Sequence, residues 1–158
     1  MSSAPKSYKF RLTYKGYKRY EELKNQETNI SLNQLSDSLV RYTEASKQYR
    51  AALGKYNKVS LERDFLDGLR LSLECLVREI LGNEKTLENQ KEILGKYLKN
   101  NGVSDDIRNS FTTLLKHYTD FQNNNVKHHD KVKPEEIDFI KDQTESFMKH
   151  LIRVNERK

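Results

Sequence analysis

From residue 31 onward the chain alternates apolar stripes with residues that start and stop helices. Leu35, Leu39, Tyr42, Ser46, Tyr49, Leu53 and Tyr56 recur at alternating spacings of four and three, the mark of one helix face. The spacing predicts one continuous helix from about Ser31 to about Asn57, with Ser46 as the polar interruption and Gly54 weakening its end. Ser60 is placed to cap a second helix, and Glu62 and Asp64 sit where they complement its dipole. Phe65, Leu66, Leu69, Leu73, Leu76, Val77 and Ile80, widened by Leu71 and Leu81, give this helix the broadest apolar face and the expected centre of the core. Arg63 and Asp67 are four residues apart, as are Arg70 and Glu74, so both pairs can form on its polar side. Gly82-Asn83 is a stop signal.

Thr86 is placed to cap a third helix carrying Leu87, Ile93, Leu94, Tyr97 and Leu98, which Asn100-Asn101-Gly102 ends. Ser104 precedes a fourth, with Asp105 and Asp106 in its first turn and Ile107, Phe111, Leu114, Leu115, Tyr118 and Phe121 as its buried face. Pro134, followed by Glu135 and Glu136, opens a fifth whose stripe is Ile137, Ile140, Phe147, Met148, Leu151 and Val154. The expected fold is all-α: a single-domain bundle of about five helices over residues 31–158, behind a short basic and aromatic arm over residues 1–30.

Composition agrees with this pattern. A chain of 158 residues can bury one core without staples. Its 35% hydrophobic and 33% charged residues suit helices with fully solvated outer faces. Cys75 is the single cysteine, so an internal disulfide and a cysteine zinc site are both excluded, and a small buried helix position is expected for it. No apolar run is long enough to span a bilayer, and no apolar signal region follows the N-terminus. A cytoplasmic protein without membrane contact is expected. The net charge of +6 is uneven. Residues 1–24 hold seven bases against two acids, whereas the remainder holds 22 bases against 21 acids.

The arm, Tyr8 to Tyr20, interleaves bases with aromatics. Alternation from Tyr8 to Tyr14, with Lys15-Gly16 as a turn, allows a short hairpin. Lys9, Arg11, Lys15, Lys18 and Arg19 are candidate nucleic-acid contacts, the cations meeting phosphates while the tyrosines stack on bases. A ribbon or tail that packs its aromatics on the body is the other reading.

Between the fourth and fifth helices lies Gln122-Asn123-Asn124-Asn125-Val126-Lys127-His128-His129-Asp130, the one gathering of amides, imidazoles and a lysine. Adjacent histidines on a helix point about 100° apart, which suits a shared metal poorly, and His117, His128, His129 and Asp130 follow no zinc spacing. No glycine-rich phosphate loop is present. Acid–base chemistry on a phosphodiester fits the residue types better. His128 can move a proton near neutral pH, Lys127 and Lys131 can hold phosphate, and Asn123 can orient a ribose or the imidazole. A polar loop without chemistry remains the alternative.

The run Leu69 to Asn83, followed by Phe121-Gln122-Asn123-Asn124-Asn125-Val126-Lys127-His128, resembles HEPN-type domains over roughly residues 35–154. Their signature is an arginine, usually followed by a polar residue, and then a histidine after four to six intervening positions. His128 stands at the position of the family's catalytic histidine, Asn123 at the polar residue, and Gln122 at the arginine. The resemblance implies a homodimer formed through the motif-bearing helices, RNA as ligand, and metal-independent RNA cleavage without a cofactor. It also implies a place in prokaryotic stress response, toxin–antitoxin pairs or anti-phage defence, where a partner protein from such a system is expected. Gln122 departs from the pattern: a glutamine can bond a phosphate oxygen but brings no charge. Three readings stay open: an RNA-binding protein with a degenerate endoribonuclease site, a non-catalytic dimeric interaction or sensor module, and a helical bundle unrelated to the family whose arm binds nucleic acid or an acidic partner.

Overall fold

The helix with the broadest apolar face, α3 (Glu62–Leu81), carries the centre of the core: Phe65, Leu66, Leu69, Leu73, Leu76 and Val77 are buried on it. This computed structural model describes residues 13–56, 58, 60–127 and 133–157, and the side chains of these except at 21, 24–33, 119 and 121–127. Among the described residues there are six α-helices, two short 3-10 helices and no strand. The all-α expectation holds. The others are α1 (Tyr14–Ser38), α2 (Thr43–Leu53), α4 (Lys91–Asn100), α5 (Asp105–Lys127) and α6 (Pro134–Asn155). None of them is long and apolar enough to cross a membrane. The chain forms two compact units, Met1–Gln34 and Leu35–Lys158.

In the first unit the hairpin expectation fails from Tyr14 onward, because α1 begins there. Thr13 starts it: its hydroxyl accepts the Gly16 N–H at 3.2 Å and its carbonyl accepts the Tyr17 N–H at 2.8 Å. A threonine that satisfies an orphan helix donor is a good N-cap.

In the second unit α3 packs along α2 and α6, α4 packs on α5, and α5 on α6. The first predicted stripe is real, with Leu35, Leu39, Tyr42, Ser46 and Tyr49 all buried. The helix under it is not continuous. A 3-10 turn at Leu39–Arg41 and a non-helical Tyr42 (φ −109°, ψ 85°) separate α1 from α2. The new N-terminus is served from a distance. Glu79 on α3 accepts the Ala45 N–H through Oε1 at 3.0 Å, placing a carboxylate at the positive end of α2. Ser72 of α3 donates to the Ala45 carbonyl at 2.8 Å, and Asn155 of α6 donates to the Tyr42 hydroxyl at 3.0 Å. Where α2 and α3 cross, a Cβ on Gly68 would stand 3.0 Å from the Cβ of Ala52, so the glycine permits the close approach.

Other boundaries differ from the sequence pattern. Ser60 does not cap α3; it takes φ +70°, and Leu61 stands at the cap position. Gly82 takes φ +64° and ends α3 through its N–H to the Arg78 carbonyl at 2.8 Å, as its position suggests. The predicted third helix starts as a 3-10 turn, Leu87–Gln90, where Glu74 takes the Leu87 N–H through Oε2 at 2.9 Å. Arg70 does meet Glu74 at 3.5 Å, in keeping with their spacing. Arg78 also meets it at 2.7 Å, and Glu74 is buried beneath that turn. Ile107, placed by its pattern on the buried face, is 40% exposed, since it lies in the first turn of α5, ahead of the buried Phe111, Leu114 and Tyr118. Leu71, Ile80 and Leu81 are half-buried at the edge of the α3 face.

Candidate functional site

The first turns of α1 hold the exposed part of the predicted nucleic-acid set. Tyr14 is 82% exposed, Tyr17 56% and Tyr20 53%. A spacing of three advances about 300° around a helix, so the three rings follow one another within an arc of about 120°. Lys15, Lys18 and Arg19 are also exposed, and the same geometry gathers them within an arc of about 100° beside the ring row. Arg19 meets Glu22 at 3.3 Å, both well exposed, so the guanidinium keeps most of its contact with water. An aromatic row next to a cationic row can stack on bases while neutralising phosphates. Lys9 and Arg11 lie outside the described residues.

The sequence pattern places the Gln122–Asp130 stretch between helices, yet its first half is helix: α5 runs through Gln122, Asn123 and Lys127. His128, His129, Asp130 and Lys131 lie outside the described residues; of the candidate catalytic residues, the last turns of α5 carry Gln122, Asn123 and Lys127. On its far side, Lys133 is extended and Pro134 opens α6 as expected. His117, the other imidazole considered as a ligand, meets the side-chain oxygen of Gln143 at 3.2 Å through Nδ1, and its ring lies tilted at 51° to that of the exposed Phe139, 6.1 Å between centres. Among the described residues no cluster of three or more His, Cys, Asp or Glu side chains could hold a metal.

Behind the start of α6 lies a polar network that the sequence does not announce. Glu145 is buried and ion-pairs with the buried Lys141 at 3.3 Å. The Tyr49 hydroxyl of α2 donates to the same carboxylate at 2.9 Å. The Lys141 ammonium also lies 5.4 Å from the centre of the Tyr56 ring, and the Tyr56 hydroxyl donates to Asp138 at 2.6 Å. Next to Glu145 in the chain, Thr144 bonds Tyr118 of α5, and its hydroxyl donates to the Ile140 carbonyl at 2.7 Å. Burial raises the pKa of the Tyr49 hydroxyl well above the ordinary tyrosine range, and the neighbouring Glu145 charge raises it further. Burial does the same for Tyr56, helped by its bond to Asp138, and for Tyr118. All three are neutral donors, Tyr49 and Tyr118 to buried partners inside the bundle and Tyr56 to the exposed Asp138 at its surface. The network ties α2 and α5 to α6 and so fixes the helix that follows His128. Lys141 and Glu145 are four apart and Tyr49 lies on the predicted stripe, but nothing local shows that the pair is buried.

Compared with known proteins, the chain matches no family model, no curated protein and no solved structure.

Proposed function

We propose that this chain is an RNA-binding protein of HEPN-like build, acting in prokaryotic stress response or anti-phage defence. The observation that carries the RNA reading is the exposed row of Tyr14, Tyr17 and Tyr20 beside Lys15, Lys18 and Arg19 on α1. Three exposed rings gathered on one helix face beside three cations form a surface that a partner can cover. Single-stranded RNA offers flat bases for the rings and phosphates for the cations. Replacing all three tyrosines by alanine is expected to weaken binding to single-stranded RNA, since each stacked base is worth about 1–3 kcal/mol. Unchanged affinity would remove the reading.

The order of helices and the run Gln122 to His128 in the sequence support a site for RNA cleavage in the same protein, with His128 as acid–base group and Lys127 and Asn123 as its helpers. Gln122 in place of an arginine makes that site weak. The absence of a charge-assisted bond to phosphate costs about 1.5–3 kcal/mol, or roughly ten- to hundredfold in rate if that bond forms in the transition state. The same Gln122 favours the second reading, a non-catalytic dimeric interaction or sensor module with a partner protein from a defence or toxin–antitoxin system. Cleavage assays on wild type, His128→Ala and Gln122→Arg separate the two. Weak His128-dependent cleavage in the wild type supports the enzyme; cleavage that arises only with Gln122→Arg supports the module.

A further inference from the structure

A second cationic surface lies within the second unit. Between α4 and α5 runs an open groove of about 390 Å³ bordered by Lys91, Lys96, Lys99 and Arg108. Its floor is apolar and closed, with Leu98 1% and Phe111 2% exposed. Gly95 stands in its wall, and a Cβ there would meet nothing within 4 Å. Two carboxylates temper the charge: Glu92 also lines the groove, and Asp105 is paired with Arg108. The three lysines are exposed. Residues 25–158 as a whole carry 22 bases against 21 acids, so this concentration of cations is local to the groove.

We propose that the α4–α5 groove is a track for the phosphate backbone of a single RNA strand, which deepens the RNA reading and rests on it. The helical geometry sets the length. Lys91 and Lys99 are eight residues apart on α4, about 12 Å along its axis, a span that can reach more than one phosphate of a single strand. The walls are helices and present no strand edge to which a peptide could add. The floor offers no open pocket for an apolar anchor, because Leu98 and Phe111 are covered. What remains is a row of point charges on flexible stems, which suits a regular polyanion bound mainly by counterion release.

The test measures binding of a fluorescent single-stranded RNA of about 20 nucleotides to the full chain as a function of salt. The variant Lys91→Gln/Lys96→Gln/Lys99→Gln alters exposed side chains alone. It is expected to weaken binding at least about tenfold at low salt and to lower the slope of log K against log salt by about 2, near 0.7 for each single-strand phosphate no longer neutralised. Gly95→Leu fills the groove without altering charge and improves helix propensity; it is expected to weaken binding while its melting temperature holds or rises. The groove proposal is overturned if both variants keep wild-type affinity and slope while the Tyr14, Tyr17 and Tyr20 alanine variant loses binding, and the RNA reading then stands alone. Both readings are overturned if the wild type binds no RNA. Preference for a poly-glutamate peptide, abolished on replacing the same lysines, would assign the groove to an acidic protein and also overturn the proposal.

Discussion

Glu145 is the residue on which the interior polar network turns. It receives Lys141 and the Tyr49 hydroxyl, and all three are buried. Tyr49→Phe is expected to cost about 1.5–3 kcal/mol, the range for a hydrogen bond to a charged group. Glu145→Ala is expected to cost more, because it removes the Tyr49 bond and also the buried one of the two carboxylates at Lys141, leaving only the exposed Asp142 at 3.2 Å. Urea unfolding of the two variants measures both, and a smaller loss for Glu145→Ala than for Tyr49→Phe would contradict this arrangement. Part of it is legible in the sequence: the four-residue spacing of Lys141 and Glu145 is visible, as is that of Arg70 and Glu74. Burial of Glu145 and Glu74 is not, since it depends on α2 and on the 3-10 turn at Leu87–Gln90 closing over them. Ser60 is deceptive for a related reason. Its side chain is a good cap, but the turn requires a left-handed backbone there, and Leu61 takes the cap position.

Titration belongs to the same scale. Tyr49, Tyr56 and Tyr118 hold their protons more tightly folded than unfolded. Above the ordinary tyrosine value of 10.0 the unfolded chain therefore releases protons that the folded chain keeps. Stability is full below that pH and falls as pH rises beyond it. His150 works in the opposite sense. Burial, then the charges of Arg157 and Arg153, lowers its pKa below the ordinary 6.5. The unfolded chain takes up that proton first, so this contribution is present above pH 6.5 and lost as pH falls. A plateau of the urea midpoint between these limits, with a decline on both sides, is the expected profile. A midpoint still rising above about pH 10 would contradict it.

At the scale of elements, the apolar stripe from Leu35 to Tyr49 is legible in the sequence and the break within it is not. Periodicity records which face is buried, and that face survives a 3-10 turn at Leu39–Arg41. The group that stabilises the restart of the helix is Glu79, 34 residues beyond Ala45, where a local pattern cannot see it. Glu79→Ala is expected to cost about 0.5–2 kcal/mol, the usual loss for a helix N-cap, and to raise amide exchange at Ala45 above that of Ala52. Unchanged exchange at Ala45 would show that the carboxylate does not cap α2. The asparagines are deceptive in a different way. A run of three reads as the stop of the fourth helix, yet α5 continues through Asn123, Asn124 and Asn125 to Lys127. Each asparagine costs a helix at most about 0.7 kcal/mol, which a helix already anchored by Phe111, Leu114 and Tyr118 can absorb.

For the molecule as a whole, the class and most helix positions follow from patterning, whereas the candidate site follows from residue chemistry at two places, α1 and the end of α5. Charge is divided unevenly as well, with seven bases against two acids in residues 1–24 and near-balance beyond. The exposed tyrosines of α1 lie in the basic part, and this coincidence is what points to RNA. The most direct test is the affinity of the full chain for single-stranded RNA before and after replacing Tyr14, Tyr17 and Tyr20 together by alanine, at fixed salt. Stacking of even one base on this row implies a loss of roughly five- to 150-fold, the range of about 1–3 kcal/mol. Equal affinity of the two proteins for RNA would contradict the central claim.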